Sequence, residues 1–342
     1  MARPRTPMTP ERRRRLRRGA TWSVALVLAL SVLLPTAAFL LTPDGIAHAQ
    51  EAEPVLQEPP VDERVATPPA WTDTNPRSQT WRQARTGEPG YVAASGPYTT
   101  NTLINNSGEN WRQIRNGPIH NLGGLLIILA ALGVAAFHMF KGRTPIEGGR
   151  AGYTVPRWSA FERGLHWFTA ITFIALAITG LSMLFGRTVL IPLFGHTANA
   201  AWANIAMNIH NYVGPAFSVG VVLMILVWAK DNIFNRTDMA WFKAGGGIVG
   251  NAHPSAGKLN GGEKVWFWLG VFVLGLAVVI TGFILDFPQF GQSRSTMGTA
   301  HIIHAAAALV WIGFAFGHIY IGTAGTEGAL EGMTTGRVDV NW

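Results

Sequence analysis

Apolar residues are gathered along this chain into long runs, separated by polar stretches rich in glycine, proline and charge. Five such runs, residues 119–140, 165–185, 209–229, 265–285 and 300–322, each approach the ~20 residues that an α-helix needs to cross a bilayer. The pattern predicts an all-α membrane protein, a bundle of spanning helices joined by polar loops.

A further apolar run, residues 22–41, comes after a cluster of arginines and precedes Ala47-His48-Ala49. Basic, apolar and small residues in that order make a signal peptide over residues 1–49, cleaved after Ala49. The run is also long enough for an uncleaved anchor. Both readings export the residues immediately downstream. Residues 50–118 hold no long apolar run and are rich in Pro, Glu, Thr, Asn and Gly, as expected of a weakly ordered periplasmic segment. Within it Trp81-Arg82-Gln83-Ala84-Arg85-Thr86-Gly87 recurs as Trp111-Arg112-Gln113-Ile114-Arg115-Asn116-Gly117. Two copies are too few for a repeat fold, so the match is either coincidence or a pair of aromatic anchors lying on a partner.

The loops set the direction of each span. Lys141, Arg143, Arg150, Arg157 and Arg163 fall between the first and second runs, and Lys230, Arg236, Lys243, Lys258 and Lys264 between the third and fourth. The other two short loops carry only Arg187 and Arg294. An excess of Lys and Arg marks cytoplasmic loops, which places the first pair inside and residues 50–118 outside, and brings the C-terminus to the cytoplasm.

Composition narrows the chemistry. The 342 residues include no cysteine, which excludes a disulfide framework, cysteine-held Fe–S clusters and covalent CxxCH haem attachment on this chain. The net charge of +8 is concentrated in residues 1–18, which carry eight arginines and one acid; the remainder holds 19 basic and 18 acidic residues. The basicity is therefore a terminal feature, with no nucleic acid implied.

Ionisable side chains at membrane depth are costly and usually functional. With no thiolate available, imidazole is the natural ligand for a b-type haem, which takes two axial nitrogens at one depth. His166 opens the second run on the cytoplasmic side and His210 opens the third on the periplasmic side. In the fifth run His304 and His318 are 14 residues apart, a rise of ~21 Å with a phase difference of only ~40°. His301 lies roughly 100° from His318 and does not share that face. Depth and phase together pair His210 with His304 and His166 with His318, a stack of two bis-histidine haems. His120 and His138 also share a helical face, but both sit at interfaces, where polar side chains are cheap, and no histidine remains to pair with them. Gly180, Gly214, Gly282 and Gly313 leave room either for close helix packing or for a flat macrocycle. Arg163, one turn before His166, suits a haem propionate or simply the positive-inside pattern.

At these residues the chain resembles the cytochrome b (gamma) subunit of membrane-bound formate dehydrogenase. The similar stretches are Glu162-Arg163-Gly164-Leu165-His166-Trp167, Ile209-His210-Asn211-Tyr212-Val213-Gly214, Lys258-Leu259-Asn260-Gly261-Gly262-Glu263-Lys264, Ile302-Ile303-His304-Ala305-Ala306-Ala307 and Gly317-His318-Ile319-Tyr320, continuing to Glu331-Gly332-Met333. The resemblance implies a four-helix di-haem core over residues 158–342, with His210 and His304 on the periplasmic-side haem and His166 and His318 on the cytoplasmic-side haem. It implies a quinone pocket (ubiquinone or menaquinone) beside the inner haem, shaped by the loop holding Asn260 and Gly262, with His318 at its edge. The chemistry of that loop suits the task, since Asn260 can donate to a quinone carbonyl and Glu263 can relay a proton. Taken alone, Asn260-Gly261-Gly262-Glu263 reads as an ordinary Asn-Gly turn followed by a helix start. The implied partners are an Fe–S (beta) subunit and a molybdenum- or tungsten-containing catalytic (alpha) subunit, so no formate-oxidising site resides here. The setting is the bacterial inner membrane and its quinone pool. Residues 119–140, an additional transmembrane helix, and 141–157, a cytoplasmic linker, precede that core. The alternatives are the cytochrome b of a nickel–iron hydrogenase and, from a different class, a proton-coupled transporter using the same histidines.

Overall fold

The computed structural model describes residues 106–246 and 256–342. The expected signal peptide, most of the segment 50–118 and the first copy of the Trp-Arg-Gln motif lie outside the described residues.

The described chain is almost wholly helical. Helix α1 (Asn106–Ile114) runs through wider turns at Arg115–Ile119 into α2 (His120–Lys141). Those wider turns carry the chain past Pro118, whose ring removes an amide donor. The described helix thus takes in residues 106–118, part of the stretch expected to be weakly ordered. The physical reason is tertiary: Trp111 and Gly123 of this helix pack on a later one.

Helix α3 (Ala160–Phe185) is opened by a reciprocal cap in which Ser159 accepts from the Glu162 amide and Glu162 accepts from the Ser159 amide. Helix α4 (Ile191–Trp228) starts after five intervening residues. It begins far earlier than the apolar run at 209, because residues 196–206 are alanine-rich and favour helix although they are not uniformly apolar. Gly195, at φ 82°, breaks its first turn. The two helices are antiparallel: Gly180 meets His210 and, nearer the other end, Gly220 meets Thr169.

After the short α5 (Arg236–Lys243), a continuous stretch made of α6 (Gly261–Val265), wider turns at Trp266–Leu274 and α7 (Gly275–Asp286) crosses back, capped at its start by Asn260. Helix α8 (Arg294–Tyr320) is capped by Ser293 and completes the bundle. Among the described residues, four continuous helical stretches are long and apolar enough to cross a membrane, and the α3–α4 stretch does so as a hairpin. Helix α2 docks on α8 through Gly123 against Leu309 and through Ala130 and Leu126 against Gly313. Its other faces expose Leu125, Ile128, Leu129 and Leu132, as a lipid-facing helix does.

The loops at one end are tied together more closely than hydropathy suggests. Residues 154–156 form β1 (Thr154–Pro156), paired antiparallel with β2 (Arg337–Asp339) beyond the short α9 (Ala329–Thr334). Arg150 bonds both Glu327 and Glu331, and Arg157 bonds Glu263. The stretch expected as a linker is thus the partner of the C-terminal tail.

Candidate functional site

The bundle brings two pairs of imidazoles together. His210 on α4 and His304 on α8 have ring centroids 6.1 Å apart, and His166 on α3 and His318 on α8 are likewise 6.1 Å apart. Two iron–nitrogen bonds of about 2 Å, with the ring radius added at each end, give a centroid separation of about 6 Å. Both pairs therefore fit axial ligation of a haem iron.

The His210–His304 pair is held by a repeated device. Thr179 Oγ1 lies 2.9 Å from His210 Nδ1 and donates to the Ala175 carbonyl. Thr281 Oγ1 lies 3.1 Å from His304 Nδ1 and donates to the Ala277 carbonyl. A hydroxyl has one proton, and the i−4 carbonyl takes it, so each threonine accepts from Nδ1–H. Nε2 of each ring is then left as the lone pair for a metal, the arrangement by which an outer hydrogen bond sets tautomer and ring orientation. Beside each threonine is a glycine that admits the ring: a Cβ on Gly180 would stand 3.2 Å from His210 Cε1, and one on Gly282 3.4 Å from His304 Cε1.

Next to this pair is a cavity of about 440 Å³. Phe173, Phe217 and Trp311 close it towards the middle of the bundle, while Arg115, His301 and Asp286 lie at its polar end. The two sets suit an amphipathic macrocycle with an apolar body and charged substituents.

The His166–His318 pair is built differently. Trp266 stacks on His318 with centroids 4.5 Å apart and planes within 7°. His166 Nδ1 is buried without a hydrogen-bond partner. Arg163, one turn away, donates to the Trp158 and Thr335 carbonyls and so anchors the C-terminal tail. Asn260 accepts from the Glu263 amide, and the Glu263 carboxylate accepts from the Asn260 amide and from Arg157. Gly262 lies under Trp241, whose ring would be 2.9 Å from an added Cβ. This loop opens the helix that carries Trp266, six residues or roughly 9 Å from the His318 stack.

Three further histidines, His120, His138 and His301, make other contacts. His120 bonds Thr188 and Asn121, and His138 bonds Tyr320, so both tie α2 to the bundle. His301 accepts from Trp111 Nε1 at 3.2 Å.

Residues 157–336 match the model of the prokaryotic cytochrome b561 family. The chain belongs to that family. The cytochrome b is 30% identical to the formate dehydrogenase cytochrome b556(fdo) subunit of Escherichia coli K12, over 193 residues that make up 55% of this chain and 88% of the relative. It is 27% identical to the nitrate-inducible formate dehydrogenase cytochrome b556(Fdn) subunits of E. coli K12 and Shigella flexneri, covering 86% of each. As a membrane cytochrome b of this kind it has haem b for its cofactor and electron transport for its role. The helix α1–α2 lies outside the residues matched to the family model.

Sequence reasoning missed Thr179 and Thr281 as positioning residues for this cytochrome b. The signal was present, since Ile178-Thr179-Gly180 and Ile280-Thr281-Gly282 are the same tripeptide on two spans. Only the packing reveals that each copy faces a histidine.

Proposed function

We propose that this cytochrome b holds two b haems, one between His210 and His304 and one between His166 and His318, and carries electrons from the Fe–S subunit of a formate dehydrogenase complex to quinone. The observation that carries the proposal is the pair of 6.1 Å imidazole separations on three helices, with His304 and His318 fourteen residues apart on one of them.

Bound haem supplies one-electron transfer; the chain supplies everything else. His210 and His304 present Nε2 because Thr179 and Thr281 hold Nδ1–H. Phe173, Phe217 and Trp311 form an aromatic cluster at mid-depth, with Trp311 seven residues from both His304 and His318. This cluster keeps water out of the space between the two pairs. The basic loops gather at the His166–His318 end, which supports a cytoplasmic location for that end and for the C-terminus, and an inner-membrane setting. Residues 50–118 would then be periplasmic, where the catalytic subunits deliver electrons, with 119–140 an added spanning helix and 158–342 the di-haem core. Electron flow towards the negative side of the membrane is electrogenic.

At the inner end, quinone would lie beside Asn260 and Gly262. The helix cap uses Asn260 Oδ1, so the amide Nδ2 is the donor offered to a quinone carbonyl. Glu263, paired with Arg157 at the loop surface, would pass protons to the quinone. Arg163, one turn from His166, would meet a propionate there.

Reduced-minus-oxidised spectra with pyridine haemochrome quantitation on purified protein test the reading. Two b haems per chain, falling to one in His304→Ala, are expected. A chain without haem, or one unaffected by this substitution, would refute it.

A further inference from the structure

The second Trp-Arg-Gln motif lies outside the residues matched to the family, yet its side chains reach the cavity beside His210 and His304. Trp111 Nε1 donates to His301 Nδ1 with the two rings edge to face at 5.4 Å. One turn later Arg115 lines the cavity itself. Its guanidinium is tethered by Nη1 to Asn116 Oδ1 at 2.8 Å and by Nη2 to the Met183 carbonyl at 3.4 Å, the latter bond long and readily exchanged for a stronger acceptor.

The electrostatics of the cavity favour one such acceptor. Haem b carries two carboxylate propionates, and burying an unpaired carboxylate is costly. The apolar end of the cavity, at Phe173, Phe217 and Trp311, cannot receive them. At the polar end stand Arg115, His301, Asp286 and Asn211. Asp286 repels a carboxylate when ionised, and His301, which accepts from Trp111 through Nδ1, can offer a carboxylate only a neutral Nε2–H donor. Among the described residues lining the cavity, Arg115 is the only lysine or arginine. A guanidinium is always charged and offers a planar pair of donors suited to a carboxylate.

We infer that Arg115, supplied by the helix that precedes the family core, pairs with a propionate of the haem held by His210 and His304. The N-terminal helix is then part of the cofactor site, and the second motif copy builds it: Trp111 holds His301 at the rim and Arg115 supplies the charge. The inference rests on the haem assignment above.

The test uses the full-length chain in membranes as wild type, Arg115→Gln, Arg115→Lys and His304→Ala, with haem content by pyridine haemochrome and the b-haem transitions by spectroelectrochemical titration. Loss of a positive charge beside the propionate favours the oxidised iron. Arg115→Gln should therefore move one transition, the one missing in His304→Ala, to lower potential and leave the other in place. Arg115→Lys, which keeps the charge, should hold this transition close to its wild-type potential. An unshifted titration in Arg115→Gln at full haem content overturns the inference, as does equal loss of haem in the Gln and Lys variants, which would make Arg115 a packing residue. If His304→Ala removes no haem, the assignment itself fails and the inference falls with it.

Discussion

Thr179 and His210 meet across the α3–α4 hairpin with 2.9 Å between Oγ1 and Nδ1, and the threonine proton is already committed to the Ala175 carbonyl. A Thr179→Val substitution keeps the shape and removes the acceptor. A hydrogen bond from Nδ1–H makes the imidazole a better donor to ferric iron, so its loss should raise the potential of one haem. A net bond of about 1 kcal/mol corresponds to roughly 40 mV for a one-electron couple. Spectroelectrochemical titration reads this directly. Thr281→Val should act in the same direction through His304, and an unchanged titration in both would remove the threonines from the site.

Gly180 and Gly282 make a graded pair. An added Cβ stands 3.2 Å from the His210 ring at one and 3.4 Å from the His304 ring at the other. Gly180→Ala should crowd its histidine and cost ~1–3 kcal/mol, the usual range for overpacking, whereas Gly282→Ala falls at ordinary contact and should cost less. Thermal loss of the haem absorbance in the two variants, compared side by side, checks the order.

His120 and His138 bond Thr188 and Tyr320 rather than facing another imidazole. Alanine at either position should leave haem content unchanged and loosen α2, with a loss of ~1 kcal/mol each. Haem lost from either variant would contradict the ligand assignment.

The tail beyond α8 is held by charge. Arg150 donates to Glu331 and Glu327 and holds both carboxyls below the ordinary carboxylate range. A depressed folded pKa contributes stability above the unfolded value of about 4.3, and that contribution is lost as pH falls through the folded value. Protection of the β2 amides against hydrogen exchange, measured relative to their intrinsic rates, should therefore fall below about pH 4. Because the pairs are solvent-exposed, high salt at neutral pH should weaken them too, and Arg150→Gln should remove the dependence.

Lys264 and Asp238 form a contrasting pair, 2.7 Å apart with side chains 4% and 5% exposed. Asp238→Asn would strand a buried ammonium and should cost ~3–5 kcal/mol, while replacing both partners by apolar residues should recover much of that. Thermal unfolding of the single and double variants distinguishes a buried pair from two independent surface charges.

Much of this was legible in one dimension. Length and hydropathy identify the spans, and helical phase together with depth groups His210 with His304 and His166 with His318, the pairs whose rings lie 6.1 Å apart, because rise and rotation per residue are constants of the α-helix. The same constants do not say where a helix begins. Alanine-rich residues 196–206 and the polar residues around Trp111 are helical through propensity and tertiary packing, which hydropathy does not register. Nor do they say which side chains meet across helices. Thr179 reaches His210 over 31 positions and Trp111 reaches His301 over 190. Such contacts depend on crossing geometry and on which glycines let two backbones approach. Sequence by itself determined a membrane helix bundle and which histidines share a depth and a face, because both follow from constants of the helix; only the tertiary structure decided what holds Nδ1 of His210 and His304, and that Arg115 of the N-terminal helix lines the cavity beside them, because those contacts depend on how the helices cross.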